Sequence, residues 1–60
     1  MNADNLKLRD FYLAPIAHTM DQKIRMLRVR LEGFDLTTGI AECRFNGGIW
    51  LIHISKLQAV

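Results

Sequence analysis

The residues of this sequence most able to do chemistry are basic. Four cationic side chains fall within eight residues of one another, and three more basic residues follow nearer the end of the chain. Lysine and arginine neutralise phosphates one charge at a time, and an imidazole beside cations can contact a base or a phosphate. The sequence therefore predicts a nucleic-acid-binding set, namely Lys23, Arg25, Arg28, Arg30, Arg44, His53 and Lys56.

The same residues also fit two interpretations that involve no nucleic acid. The arginines near residue 30 also fit the solvated face of a strand, with no ligand at all. The imidazole of His53 also fits a cross-strand pair with Glu42. Both alternatives stay open at the level of sequence.

The other reactive residue types lack the spacing that catalysis or metal binding requires. Cys43 is the single cysteine and alternates with apolar neighbours, which indicates a buried and inert thiol. His18 has no partner ligand or base nearby in sequence. A nucleophile motif, a metal-ligand spacing and a supported carboxylate pair are all missing from the sequence. We therefore expect a protein that is not an enzyme and uses no metal or cofactor.

Length and composition limit the architecture to one small domain. The chain has 60 residues, half of them apolar, with a net charge of +2. This is enough for one core and too little for two, so residues 1–60 are expected to form a single domain. A core this small and without disulfides predicts a homo-oligomer or an obligate partner. An apolar run of about 20 residues and a signal-peptide core are lacking, which predicts a cytoplasmic protein with no membrane partner.

The N-terminal part, residues 1–21, is predicted to hold a helix and a connector. Residues 3–14 follow a possible cap at Asn2 and stop before Pro15, as a short helix would. A first strand is the alternative, because LKLRDFYL alternates over part of its length. Residues 15–21 then form the connector to a β-module at 22–60.

Residues 22–32 fit two templates, of which the strand is favoured. Alternation places Leu27, Val29 and Leu31 on one side, with Arg28, Arg30 and Glu32 on the other. The Met26-Leu27 doublet would then form a bulge. The helical alternative uses a capping box from Thr19 to Gln22 and a stop at Gly33.

Two hairpins are predicted after residues 22–32. EGFDLTTG forms a loop before the strand IAECRF, and Asn46-Gly47-Gly48 forms a turn before IWLIHI, with its centre on either Asn46-Gly47 or Gly47-Gly48. The second register places Glu42 opposite His53. The tail SKLQAV is expected to turn once and close as a short strand. The predicted core face carries Ala41, Cys43, Phe45, Trp50, Ile52 and Ile54.

Residues 39–57, GIAECRFNGGIWLIHISKL, resemble the RNA-binding repeat of the largest small-subunit ribosomal protein and of polynucleotide phosphorylase. The likeness lies in Gly39, in Gly47 and in the ending from Leu51 to Leu57. It implies a five-stranded oligonucleotide-binding barrel and a nucleic-acid partner. In that family an aromatic residue that stacks a base stands where this chain has Ala41, and a turn glycine stands where it has Trp50.

The expected fold class is mainly β, a small antiparallel sheet or partly open barrel with a short N-terminal helix. The barrel is either of the oligonucleotide-binding type or Src-homology-like. The second alternative has a last strand, a single helical turn and a closing strand that would fit IWLIHI, SKL and QAV.

Three functions fit this fold class. The first is a small regulatory or accessory module that binds single-stranded RNA or DNA. The second is a module that inhibits or tethers a larger protein through a strand edge or through Ile49 and Leu51. Short chains of this kind are frequent among phage and plasmid accessory proteins. The third is a structural homo-oligomer assembled through strand edges.

Overall fold

Over the residues that the structure describes, the chain forms one antiparallel sheet of five strands. A computed structural model describes residues 5–17, 20–21 and 23–60. The strand order is β4-β3-β2-β1-β5, and the sheet is open because its two edge strands do not pair in the described part of the chain. None of the helices described there is long and apolar enough to cross a membrane. The elements are β1 (Phe11–Ile16), β2 (Arg25–Asp35), β3 (Ile40–Phe45), β4 (Gly48–His53), a 3₁₀ turn (Ile54–Lys56) and β5 (Gln58–Ala59).

The predicted N-terminal helix is wrong, and its C-terminal part is a strand. Tyr12, Ala14 and Ile16 are buried on one side of β1 while their neighbours are more exposed. A period of two places all three side chains on one side of a strand, whereas in a helix residues two apart point to nearly opposite sides. Residues 3 and 4 of the predicted helix lie outside the described residues.

The predicted connector also begins later than expected, because Pro15 and Ile16 belong to β1. A proline cannot donate a ladder hydrogen bond, so it requires a strand position that is free on one side. Among the described residues β5 pairs with Tyr12 and Leu13, so that at Pro15 the neighbour of β1 is β2 alone.

The strand predicted for residues 22–32 is confirmed from Arg25 onward, with a correction to its bulge, while residue 22 lies outside the described residues. Val29 and Leu31 are buried, whereas Arg28 and Arg30 on the opposite side are exposed. Pairing with β1 is regular through the Met26-Leu27 doublet. The irregularity lies between Leu31 and Gly33, on the β3 side. The capping box that the helical alternative required includes residues outside the described part of the chain.

The second hairpin turns at Asn46-Gly47. These residues have φ angles of 51° and 80°, as a type I′ turn requires, and Phe45 pairs with Gly48. The alternative register is therefore wrong, and Glu42 lies opposite Leu51 rather than His53.

The core occupies one side of the sheet, which we call the inner face. The predicted core face is confirmed, since Phe45, Trp50 and Ile54 pack against the fully buried cluster. The predicted turn and closing strand of the tail are also observed, and Leu57 between them is buried. The buried cluster consists of Leu6, Tyr12, Ala14, Ile16, Val29, Leu31, Ala41, Cys43, Ile52 and Leu57.

We expect Leu31→Ala to lower the free energy of unfolding by about 2–5 kcal/mol, because it opens a cavity at a site with 0% exposure. Leu36→Ala, in the turn after β2 and 70% exposed, is the matched control and should change stability by less than about 0.5 kcal/mol. Urea denaturation followed by circular dichroism measures both. Equal losses in the two variants would contradict the assigned core.

Candidate nucleic-acid interface

Three of the predicted arginines meet on the side of the sheet opposite the core, which we call the outer face. Directly opposed residues on neighbouring strands share a face. Arg30 of β2 lies opposite Arg44 of β3, and Arg28 lies two residues along β2 from Arg30. All three side chains are exposed. We call these three residues the basic cluster.

The basic cluster is held together by a carboxylate. Glu32 Oε1 lies 3.2 Å from Arg44 Nε and 3.6 Å from Arg30 Nε. Two like charges directly opposite one another repel, and the shared carboxylate offsets that repulsion. A guanidinium has five N–H donors, so one contact through Nε does not exhaust either arginine.

An aromatic ring borders the basic cluster. The guanidinium of Arg28 lies 4.1 Å from the centroid of the Phe11 ring, a cation–π contact between β2 and β1. Phe11 also lies directly opposite Arg30 and is 41% exposed. The outer face thus combines a partly exposed apolar ring, which has Arg28 over it, with two further arginines, and rings and cations together are what single-stranded nucleic acids stack on and bind.

Lys23 and Arg25 lie away from this cluster. Arg25 begins β2 opposite Ile16, at about 16 Å along the strand from Arg30. Its guanidinium forms an ion pair with Asp21 at 3.0 Å, and the backbone N–H of Lys23 donates to the same carboxylate. The charge of this end of β2 is therefore partly neutralised within the chain.

His53 and Lys56 lie at the other end of the second hairpin. His53 pairs with Ile40, about 13 Å along β4 from the residue that faces Arg44. Its Nδ1 accepts a hydrogen bond from the Ser55 N–H at 3.2 Å and lies 2.9 Å from Ser55 Oγ. The imidazole thereby caps the 3₁₀ turn, which ends at Lys56.

The imidazole of His53 also packs over Gly39. A Cβ atom on Gly39 would lie 2.5 Å from His53 Nε2, so this close approach requires glycine. The φ angle of Gly39 is +75°, which also favours glycine. His53 is thus placed by its contacts within the fold, and neither the predicted pair with Glu42 nor a site beside Arg44 is observed.

The two predicted protein-interface residues also lie on the outer face. Ile49 is 49% exposed and lies opposite Arg44, while Leu51 is 70% exposed and lies opposite Glu42. Leu51 borders a shallow groove of about 470 Å³. The other residues that line this groove are Gly33, Phe34, Asp35, Thr38, Ile40 and Glu42.

Two contributors to the outer face were missed as site residues by sequence reasoning. The sequence predicts a helix at Phe11, and it places Glu32 on the same side of its strand as the arginines without indicating a role at the site. The alternating reading of LKLRDFYL, kept as the alternative, was the one signal that could have placed Phe11 on a sheet.

Cys43 is fully buried on the inner face, as its alternation predicted. Burial raises the pKa of its thiol, so the reactive thiolate is disfavoured at neutral pH. Within the described residues there is no group of three or more side chains able to hold a metal ion.

Comparisons with known proteins do not assign the chain to a family. No family model, curated protein or solved structure matches it. Its function has therefore to be inferred from the geometry of the outer face.

We expect Gly39→Ala to destabilise the protein more than Gly47→Ala. Both glycines have a positive φ angle, but a Cβ atom on Gly47 meets nothing within 4 Å, whereas one on Gly39 strikes His53. Equilibrium unfolding of both variants isolates the cost of displacing the ring. In a His53→Ala background the cost of Gly39→Ala should fall toward that of Gly47→Ala, and an unchanged cost would contradict the contact.

Proposed function

We propose that this protein is a small, non-enzymatic, cytoplasmic module that binds single-stranded RNA or DNA through its outer face, in a regulatory or accessory role. The observation that carries the proposal is the convergence of Arg28, Arg30 and Arg44 on one exposed face beside the ring of Phe11. Guanidinium groups bind phosphates through several hydrogen bonds, and every base has a face that stacks on an aromatic ring.

The spacing of the basic cluster suits an extended backbone. Paired strands lie about 4.8 Å apart and a strand rises about 6.6 Å over two residues, so the three arginines are close neighbours. The net charge of the chain is only +2, so attraction arises from this local cluster rather than from the field of the whole molecule. We expect an affinity that falls steeply with salt and depends little on base sequence.

The order of elements supports a Src-homology-like barrel over the oligonucleotide-binding type. The 3₁₀ turn follows β4 directly, and β5 returns to pair with β1, as the smaller barrel requires. The resemblance at residues 39–57 supports the same partner class. Its stacking position is Ala41, which is fully buried on the inner face, so we assign stacking to Phe11 instead.

The remaining basic residues are secondary in this proposal. Lys23, Arg25 and Lys56 are exposed and would extend phosphate contact beyond the basic cluster. His53 would act indirectly, by stabilising the 3₁₀ turn that carries Lys56.

Removing two charges from the basic cluster should flatten the salt dependence of binding. For a single strand, log K falls with log salt by about 0.7 for each phosphate contact, so Arg28→Ala with Arg30→Ala should reduce the slope by about 1.4. Fluorescence anisotropy with short single-stranded RNA, single-stranded DNA and duplex, each over a range of salt, measures the slope.

Lys23→Ala with Arg25→Ala is the matched control, because it removes the same net charge from another part of β2 and its preceding loop. We expect a smaller change in slope from this pair. An equal change in slope would indicate that the binding surface includes that loop. Absence of binding at low salt, or an affinity independent of salt, would exclude the proposed function.

Protein binding is the second candidate, and the exposure of Ile49 and Leu51 favours it. Apolar side chains on a sheet face are energetically better covered than left in water. In this case the chain would inhibit or tether a larger protein.

Ile49→Lys should abolish pull-down of such a protein while leaving the circular dichroism spectrum unchanged. Ile24→Lys is the control, because Ile24 is 72% exposed and lies in the loop before β2. Retained pull-down with Ile49→Lys would exclude this surface.

A further inference from the structure

The free edge of β4 presents a regular set of backbone groups. Ile54 N–H donates to Gly39 O at 2.8 Å, across the continuation of the β3–β4 ladder. The backbone groups of Ile54 therefore face β3. In an antiparallel ladder, residues whose N–H and C=O face the partner strand alternate with residues whose N–H and C=O point away from it. Ile49, Leu51 and His53 therefore direct their backbone groups away from β3. In the described part of the chain no strand pairs with them.

This edge lacks the features that prevent pairing with another chain. β4 is a six-residue strand, GIWLIH, without proline, lysine, arginine or a carboxylate. Natural sheets usually protect such edges with charge, proline or a bulge. The outer face adds exposed apolar area along the same strand, at Ile49 and Leu51.

We infer that β4 pairs antiparallel with β4 of a second copy of this chain, about a two-fold axis at Leu51. In this register Leu51 pairs with Leu51 of the second copy, and Ile49 pairs with its His53. The two copies of Leu51 then exchange two hydrogen bonds. Each flanking pair is joined by the N–H of His53, which donates to the C=O of Ile49 in the other copy, because the C=O of His53 accepts within the 3₁₀ turn that it caps. The two sheets join into one, with the outer faces on the same side.

The side chains of this register are compatible. Leu51 meets Leu51 of the second copy on the outer face, covering a side chain that is 70% exposed in the single copy. On the inner face the half-buried Trp50 lies beside Ile52 of the second copy. Both contacts are apolar, and both recur on the other side of the two-fold axis.

The charges permit a second copy in this arrangement. Arg44 lies opposite Ile49, which is two residues, about 6.6 Å, along β4 from the two-fold axis at Leu51. Three strand spacings of about 4.8 Å separate the two copies of β3. The two Arg44 residues are then about 20 Å apart, more than twice the Debye length of about 8 Å at physiological salt. The two basic clusters therefore do not oppose the pairing.

The other edge strand offers a poorer partner. β5 has only two residues, Gln58 and Ala59, so pairing of β4 with β5 of another copy leaves most of the β4 edge open. Symmetric β4 pairing also closes at two copies, whereas β4-to-β5 pairing would continue into rings or filaments.

The first experiment is sedimentation equilibrium of the protein freed of nucleic acid, over a range of concentrations. We expect a mass near twice 6.9 kDa for the original sequence. Leu51→Lys should shift it to one copy, because two ammonium groups would face each other at the axis. Leu36→Lys is the matched control, since Leu36 is also 70% exposed and lies in the turn after β2. It should remain a dimer.

The second experiment tests the register. Hydrogen-bonded antiparallel pairs have Cα atoms about 5.5 Å apart, within the range that a disulfide bridges. Leu51→Cys should therefore form a covalent dimer on mild oxidation, seen on a non-reducing gel, and Leu36→Cys should not. The buried Cys43 serves as an internal control, because the original sequence should not cross-link.

These outcomes separate the pairing from the proposed function. A folded monomer at all concentrations would overturn the inference, as would a dimer that survives Leu51→Lys and does not cross-link through Leu51→Cys. A larger closed assembly would favour β4-to-β5 pairing and overturn it too. None of these measurements uses nucleic acid, so the binding proposal stands or falls separately.

Discussion

The structure depends on the alternation of apolar and charged residues along β2. This strand has β1 on one side and β3 on the other, so its inner residues form the centre of the core. The alternation that buries Val29 and Leu31 also sends Arg28 and Arg30 to the outer face. A slip of one residue would bury two guanidinium groups and expose the core, which fixes the register of the sheet. Fold and basic cluster therefore have the same origin.

Most of the sheet could be predicted from local sequence signals. β2 and β3 alternate clearly, and Asn46-Gly47-Gly48 predicts a tight turn into β4. The sequence leaves the centre of that turn open, and the positive φ angles of Asn46 and Gly47 decide it. The N-terminal segment could not be predicted in the same way. Its possible cap and the proline at its end fit a helix locally, whereas the strand gains its stability from pairing with β2. The location of the bulge likewise depends on β3, since the β1 side of β2 is regular.

The candidate site was predictable only where it lies on strongly patterned strands. The arginines of β2 and β3 followed from alternation. The contact between Arg28 and Phe11 did not, because it exists only once β1 and β2 are paired. His53 shows a second limit of prediction from sequence. Its residue type indicated chemistry, but its ring is engaged with Ser55 and Gly39, in contacts that depend on the path of the chain after β4.

Glu32 gives the basic cluster a built-in competitor. Its carboxylate oxygen accepts a hydrogen bond from Arg44 Nε at 3.2 Å and lies 3.6 Å from Arg30 Nε, between the two groups that a phosphate oxygen would contact. An anion that takes this position must displace Glu32, so its binding there is an exchange of ligands rather than an addition. The free energy of that exchange is a difference between two similar contacts, which limits how tightly any single phosphate is held and allows it to be released readily.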